Sequence, residues 1–293
     1  MINIGQGAFS GTAITSITIP DSVISLGDGV FSSCFDLTQV NIGSGLTTIP
    51  RFSFYYCSSL ESITIPANIT LIEDSAFDRS GLSSIVFKNT SVEIDDDVFF
   101  LTPLLNNAST AEDFLIIDNI LICYYGQDSS VTIPDGIVNI AGGAFSGHDL
   151  EEIIIPDGVT IIGSYAFYKT GLTSITIPKS VVKIGVAAIG YDYSVESETE
   201  FAVEYTIYGY TGTAAETYAA TSDKFTFVAL DKTTVTLDTG KISSLTNTSS
   251  GIKIKWTAVS GADGYYIYRK TSSGSYKKIK TITSIMFLKS LCK

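Results

Sequence analysis

Few residues in this chain are of a type and spacing that could do chemistry. His148 is the sole histidine. A nucleophilic triad or a zinc site needs histidine beside fixed partners, and one isolated imidazole cannot supply either set. Asp95, Asp96 and Asp97 form an acidic run. A calcium loop alternates its ligands and needs more oxygens than three adjacent carboxylates provide, so the run reads as a solvated turn. Gly209-Tyr210-Thr211-Gly212 precedes a short helical stretch, but it lacks the lysine of a phosphate loop and the third glycine of a dinucleotide fingerprint. Cys34 and Cys57 are 23 residues apart and Cys123 and Cys292 stand alone, so four cysteines do not make a disulfide framework in 293 residues. These residues predict no catalytic residues, no metal ligands and no cofactor.

The elements that must position any site follow from a repeat. Phe9, Phe31, Phe54, Phe77 and Phe99 recur at steps of 22 or 23 residues, and Phe145, Phe167 and Ile189 continue the series after a double step. A second anchor runs through Pro20, Gly43, Pro66, Lys88, Pro134, Pro156 and Pro178, always eleven residues before the next aromatic position. All length variation therefore falls between the Phe and the following strand, where a surface loop absorbs it. Leu60, Ile63 and Ile65, or Leu172, Ile175 and Ile177, show the alternation of a short strand with its isoleucines inward. The proline then ends the strand, because it has no N–H for the ladder. One such unit cannot cover its own apolar face. Stacked units can, which predicts a continuous core with a spine of Phe.

The recurring LTSITIPxxVxxIGxxAF pattern resembles the BspA-like leucine-rich repeats of bacterial surface proteins, also found in some parasitic protists. The resemblance covers about residues 1–230 and implies a right-handed solenoid with a parallel sheet, about nine turns of 22–23 residues. It also implies a secreted or cell-surface protein engaged in adhesion and host-protein binding, with no catalytic residues to carry over. The expected organisation is a solenoid over 1–189 with an irregular unit at 100–130, a C-terminal cap over 190–230, a linker over 231–240, and a final segment over 241–293. In the irregular unit, Asp118-Asn119 reads as a hairpin turn, and a bend is expected there. In the cap, Thr213 and Glu216 have capping-box spacing for the helix AAETYAA. The final segment resembles the first half of a fibronectin type III module, with Trp256 on a second strand and a tyrosine-rich third strand. About 53 residues are too few for a full sandwich, so a partial one is expected.

Charge and hydropathy set the class of partner. The net charge is -12, split into about +9 over 241–293 and near -21 over the rest. A body this acidic repels phosphate backbones, which argues against nucleic acid. No apolar run is long enough to span a membrane, and the most apolar stretch, FLIIDNILICYY, carries Asp118 and Asn119 at its centre. The opening MINIGQGAF lacks the features of a signal peptide, so the sequence reads as a fragment whose export signal, if it has one, lies upstream.

Outward positions of the proline-terminated strands define the expected binding surface. They include Ser16, Thr18, Asn41, Thr64, Thr132 and Thr176, a flat and nearly uncharged strip suited to hydrogen bonding with a protein partner. Threonine also suits exposed strands without any ligand. Three functions stay open at this point. The chain is an adhesion or interaction module, an accessory region of a secreted enzyme, or a glycan-binding module using Tyr55, Tyr56, Tyr124 and Tyr125.

Overall fold

The computed structural model describes residues 2–106, 113–194 and 197–231, and the strand backbones at 242–248, 251–256, 265–269 and 277–282. The chain divides into two compact units, Met1–Leu230 and Asp231–Lys293. The first is a parallel β-solenoid of about ten turns. The expectation is about nine, and the strands Tyr205–Gly209 and Phe225–Ala229 add parallel rungs beyond Ser174–Thr176.

Each turn contributes to two ladders. The first holds the proline-terminated strands, such as Ser16–Thr18 paired to Gln39–Asn41 and Ser62–Ile65 paired to Ser84–Phe87. The second holds two-residue strands such as Thr48–Ile49, Leu71–Ile72 and Glu93–Ile94. Between them the proline carbonyl takes a bond from the N–H three residues on, as from Val23 to Pro20 and from Ile69 to Pro66. The anchor thus ends one strand and starts the turn that leads to the next.

The Phe spine forms as the spacing predicts. Phe9, Phe31, Phe54, Phe77 and Phe99 stack with centroids 5.2 to 6.0 Å apart, and Phe145 stacks on Phe167 at 5.2 Å. Beside the spine, the small position three residues after each Phe returns a bond to a Phe carbonyl. Thr12 and Thr102 donate to the Phe of their own turn, Cys34 and Cys57 to that of the preceding one. Both cysteines are buried free thiols, as parallel stacking of their side chains requires. Burial pushes the Cys57 thiol up to about 12.

The irregular unit interrupts this order. Strand Phe114–Ile117 turns back antiparallel onto Ile120–Tyr124 through Asp118 and Asn119, both at positive φ. The second strand then pairs parallel with Asn139–Ile140, so a hairpin is inserted into the second ladder. Ile120 and Ile122 join the core of the first turns, whereas Leu121 and Tyr124 join the core of the later ones. One strand thus closes two cores, and this explains why ILICY is almost wholly apolar. Tyr124 replaces the missing Phe of the spine, 5.2 Å from Phe145.

In the cap, helix Ala214–Ala219 packs Ala215, Tyr218 and Ala219 inward. The capping box does not form as the spacing suggested. The Thr213 hydroxyl donates back to the Tyr210 carbonyl, and Glu216 instead accepts the Gly212 N–H at 2.7 Å. In the second unit, Ile242–Thr248 pairs antiparallel with Gly251–Trp256, and Tyr265–Arg269 with Lys277–Ile282. Beyond Asp231 the expected linker lies outside the described residues.

Candidate functional site

The predicted strip exists as two stretches. Ser16, Thr18, Asn41 and Thr64 are all exposed on consecutive rungs, and the Asn41 amide donates to Thr18 Oγ1 at 3.3 Å. Thr132 and Thr176 are exposed likewise, but on the rungs beyond the inserted hairpin. On the first stretch the outward side chains of Gln39, Asn41, Ser62 and Thr64 line a groove of about 490 Å³.

A second concavity, unforeseen from the sequence, lies on the other ladder. It is built from two sheets: Leu71 pairs in register with Glu93 at the end of one, and Asn139, Ile161 and Lys183 are in register in the other, which the hairpin opens. Outward side chains on a convex ladder would be wet, yet Asn139 is 0% and Ile161 7% exposed. Lys183 nonetheless reaches back to pair with Glu93, on the last strand of the preceding sheet. Ser164 Oγ likewise donates to Asp95 Oδ1 at 3.1 Å, past the turn that holds Gly142 and Gly143. These contacts require the second ladder to curve inward at the irregular unit. Glycines make the close stacking possible: a Cβ at Gly142, Gly163 or Gly185 would lie 2.4 Å from the backbone of an earlier turn.

Within the curve is a cleft of about 710 Å³. Five carboxylates line it, from Asp74, Glu93, Asp95, Asp96 and Glu200, against two cations, Arg51 and Lys183. Both cations are committed, Arg51 to Asp74 at 2.9 Å and Lys183 to Glu93. Tyr165 and Tyr168 form one wall, their rings edge to face at 5.3 Å. The Tyr165 hydroxyl donates to Glu200 Oε2 at 3.2 Å. Burial, then that carboxylate, pushes the Tyr165 hydroxyl up to about 12.

The acidic run expected to be a solvated turn is therefore only partly so. Asp95 and Asp96 are half-buried in the cleft, and Asp97 alone is exposed. Burial, reinforced by Asp97, pushes the Asp96 carboxyl up to about 7, and burial raises Asp95 too. The Asp96 carboxylate occupies the space beside Gly143, where a Cβ would lie 2.1 Å from Oδ1. Among the described residues, no group of three His, Cys, Asp or Glu side chains is arranged to hold a metal.

Backbone conformation adds a second unforeseen feature. The residues two before and two after each Phe lie at positive φ: Gly7 and Gly11, Gly29 and Ser33, Gly143 and Gly147. At the same positions other turns carry Phe52, Tyr56, Arg79, Tyr165 and Lys169. A bulky residue there costs about 1–2 kcal/mol. The signal was present in the glycine columns but is invisible once a side chain replaces glycine.

Of the proposed sugar-stacking tyrosines, Tyr124 is excluded, since it is 2% exposed inside the second core. Tyr125 donates its hydroxyl to the Leu105 carbonyl. Tyr55 and Tyr56 remain at the surface, where Phe52 and Tyr55 meet edge to face and Arg79 lies over the Tyr56 ring. His148 packs on the Tyr124 ring at 5.0 Å, with Nδ1 unpartnered among the described residues.

The model of the BspA type leucine rich repeat region matches residues 2–124 and 117–199, in six copies. The chain belongs to that family. No curated protein matches it. Among solved structures, this BspA-type chain is similar to a leucine-rich repeat protein from Bacteroides ovatus at 22% identity, over 72% of this chain and 54% of that one, with a TM-score of 0.34. The pneumococcal vaccine antigen PcpA is 17% identical over 78% of this chain and 70% of its own, TM-score 0.31. A leucine rich cell surface protein from Faecalibacterium prausnitzii is 20% identical over 70% and 76%, TM-score 0.25. This BspA-type chain thus spans about half the length of the Bacteroides protein. Among its described residues, no helix is long and apolar enough to cross a membrane.

Proposed function

We propose that this chain is a non-catalytic protein-interaction module of a secreted or cell-surface protein, and that it engages an adhesion partner through the first ladder. The observation that carries the reading is the exposed row Ser16, Thr18, Asn41 and Thr64, almost free of charge and grooved at Asn41 and Thr64, on rungs fixed by a stacked core. Hydroxyl and amide side chains on a rigid sheet offer donors and acceptors whose positions are set before binding, which reduces the ordering cost of association. Thr132 and Thr176 extend the same row beyond the hairpin. Membership of a family of repeats, in which turns stack to make extended surfaces, supports the reading.

The test is binding of the whole chain to a panel of immobilised extracellular matrix proteins, with a glycan array in parallel. Thr64→Lys and Thr132→Lys are expected to weaken the protein signal and leave the melting temperature nearly unchanged. Binding that survives both, but is lost on changing the loops opposite, would place the surface elsewhere. A glycan signal lost on Tyr56→Ala would favour sugar binding at the Phe52–Tyr56 cluster.

A further inference from the structure

We propose that the bend of the solenoid at the inserted hairpin is a proton-operated hinge, closed while Asp96 is protonated and opened when it ionises. The hinge lies within Met1–Leu230 and does not depend on which face binds a partner.

A missing corner makes the hinge. Ordinary turns carry a residue at positive φ two places before the core Phe, such as Asp97, Gly143 and Tyr165. The inserted strand Ile120–Tyr124 runs straight through the equivalent stretch before Tyr124. The next turn feels the difference. Its Ala141 N–H donates to the Leu121 carbonyl at 2.9 Å, but the adjacent Gly142 N–H passes the inserted strand and donates to the Ile94 carbonyl at 2.7 Å. A Cβ at Gly142 would lie 2.4 Å from the Asp95 carbonyl carbon. The stack is thus one rung thicker along the hairpin than at this corner, and it bends toward the corner. Apolar packing is divided at the same place, since Ile120 and Ile122 belong to the earlier core and Leu121 and Tyr124 to the later one.

The ties across the inside of the bend come from one short acidic segment. The Val92 carbonyl accepts from Asn139, Glu93 pairs with Lys183, and Asp95 accepts from Ser164. Asp96 closes the corner itself, with Oδ1 2.1 Å from where a Cβ on Gly143 would lie. Carboxyl groups packed this closely against a later turn make the closure depend on their charge.

The groups facing Asp96 do not offset that charge. Asp74 of the preceding turn is already paired with Arg51, and Lys183 of a later turn with Glu93. Asp95 and Asp97 flank it on its own turn. The inserted strand brings Cys123, whose thiol burial holds above its ordinary value and therefore neutral. Later turns bring the Tyr165 and Tyr168 hydroxyls, likewise raised by burial, and Glu200, which accepts from Tyr165. Burial, then Asp97, holds the Asp96 carboxyl at about 7 against an ordinary 3.8. Opening returns water to the group and lowers that value, so the closed form binds the proton more tightly. Closure is therefore favoured at low pH and lost as pH rises through about 7.

The test is amide hydrogen exchange of the full chain at pH 6 and pH 8, each rate corrected for its intrinsic pH dependence. Protection of the Gly142 N–H, which crosses the hinge to Ile94, is expected to fall by about tenfold between the two. The Gly143 N–H donates to Ser164 within the later turns at 3.0 Å, and the Phe54 N–H to Ala76 within the earlier ones at 2.7 Å. Both should keep their protection. Asp96→Asn, neutral at both values, should abolish the fall at Gly142. Equal protection of Gly142 at pH 6 and pH 8 overturns the hinge. Loss at Gly143 together with Gly142 is fraying of one corner and overturns it too. A fall that persists in Asp96→Asn takes the switch away from this carboxyl. If that variant does not fold, the carboxyl carbon shift of Asp96 is titrated in the unaltered chain. Its midpoint must coincide with the Gly142 loss, and a midpoint near the ordinary 3.8 overturns the assignment.

Discussion

Lys183 pairs with Glu93 although Glu93 lies on the last strand of one sheet and Lys183 on the far edge strand of the next, beyond Ile120–Tyr124, Asn139–Ile140 and Ile161–Ile162. On one straight ladder they would stand more than three rungs apart, over about 14 Å, which outward-pointing side chains do not bridge without leaning far over. The pair is therefore both a product of the inward curve and a tie across it. Glu93 is nearly buried and Lys183 half exposed, so removing the lysine strands a carboxylate in a poor solvent. Lys183→Met should destabilise by about 1–2 kcal/mol, between the surface and buried ranges. Urea unfolding checks this, and adding Glu93→Gln to Lys183→Met should recover part of the loss. Strict additivity of the two would show that the side chains do not interact.

Asp96 should make stability fall as pH rises through neutrality. Its folded carboxyl titrates at about 7, against 3.8 without the fold. A group whose folded value is raised binds its proton more tightly when folded, so it favours the fold at low pH and opposes it once ionised. Burial is the main cause, and the charged groups in or beside the cleft that bear on it are Asp74, Asp95 and Asp97. Asp96→Asn should therefore raise the melting temperature at pH 8 and change it little at pH 4. An equal gain at both would assign the effect to something other than ionisation.

Phe77 sits between Phe54 at 5.2 Å and Phe99 at 6.0 Å, with no exposed surface. Phe77→Ala should destabilise by about 3–5 kcal/mol, as for a buried Phe that leaves a cavity its neighbours cannot close. A loss near that of a surface change, within about 0.5 kcal/mol, would mean the Phe column is not the core.

Legibility differed by the kind of signal. The Phe and Pro columns determine which residues face inward, and these are side-chain choices repeated in register, so a single sequence displays them. The exposed strip follows from the same alternation. The cleft does not. Glu93, Lys183 and Asp95 are ordinary polar residues in their own turns, and they meet only because the inserted hairpin changes the stacking direction. The hairpin itself was readable from FLIIDNILICYY, but the side toward which it bends the ladder depends on which neighbours each face of Ile120–Tyr124 meets. Tyr124 does not show itself as a member of the Phe column, because it lies inside the double step of 46 residues. It stands 25 residues after Phe99 and 21 before Phe145, both outside the 22–23 step, enough to break the register.

The same strand supplies the sharpest test of the two-core arrangement. On an ordinary first-ladder strand one residue is inward and the next outward, as with buried Ile63 and exposed Thr64. In Ile120–Tyr124, adjacent Ile120 and Leu121 are both 0% exposed, one in each core cluster. Ile120→Ala and Leu121→Ala should each cost about 2–5 kcal/mol, with Thr64→Ala as a near-neutral reference. Because the two side chains point into different cores, the losses should add closely in the double variant unless the strand itself shifts. Denaturant midpoints with unchanged slopes would support this reading. If either substitution behaves like the Thr64 reference, Ile120–Tyr124 does not divide the solenoid, and the inward curve of the second ladder needs another cause.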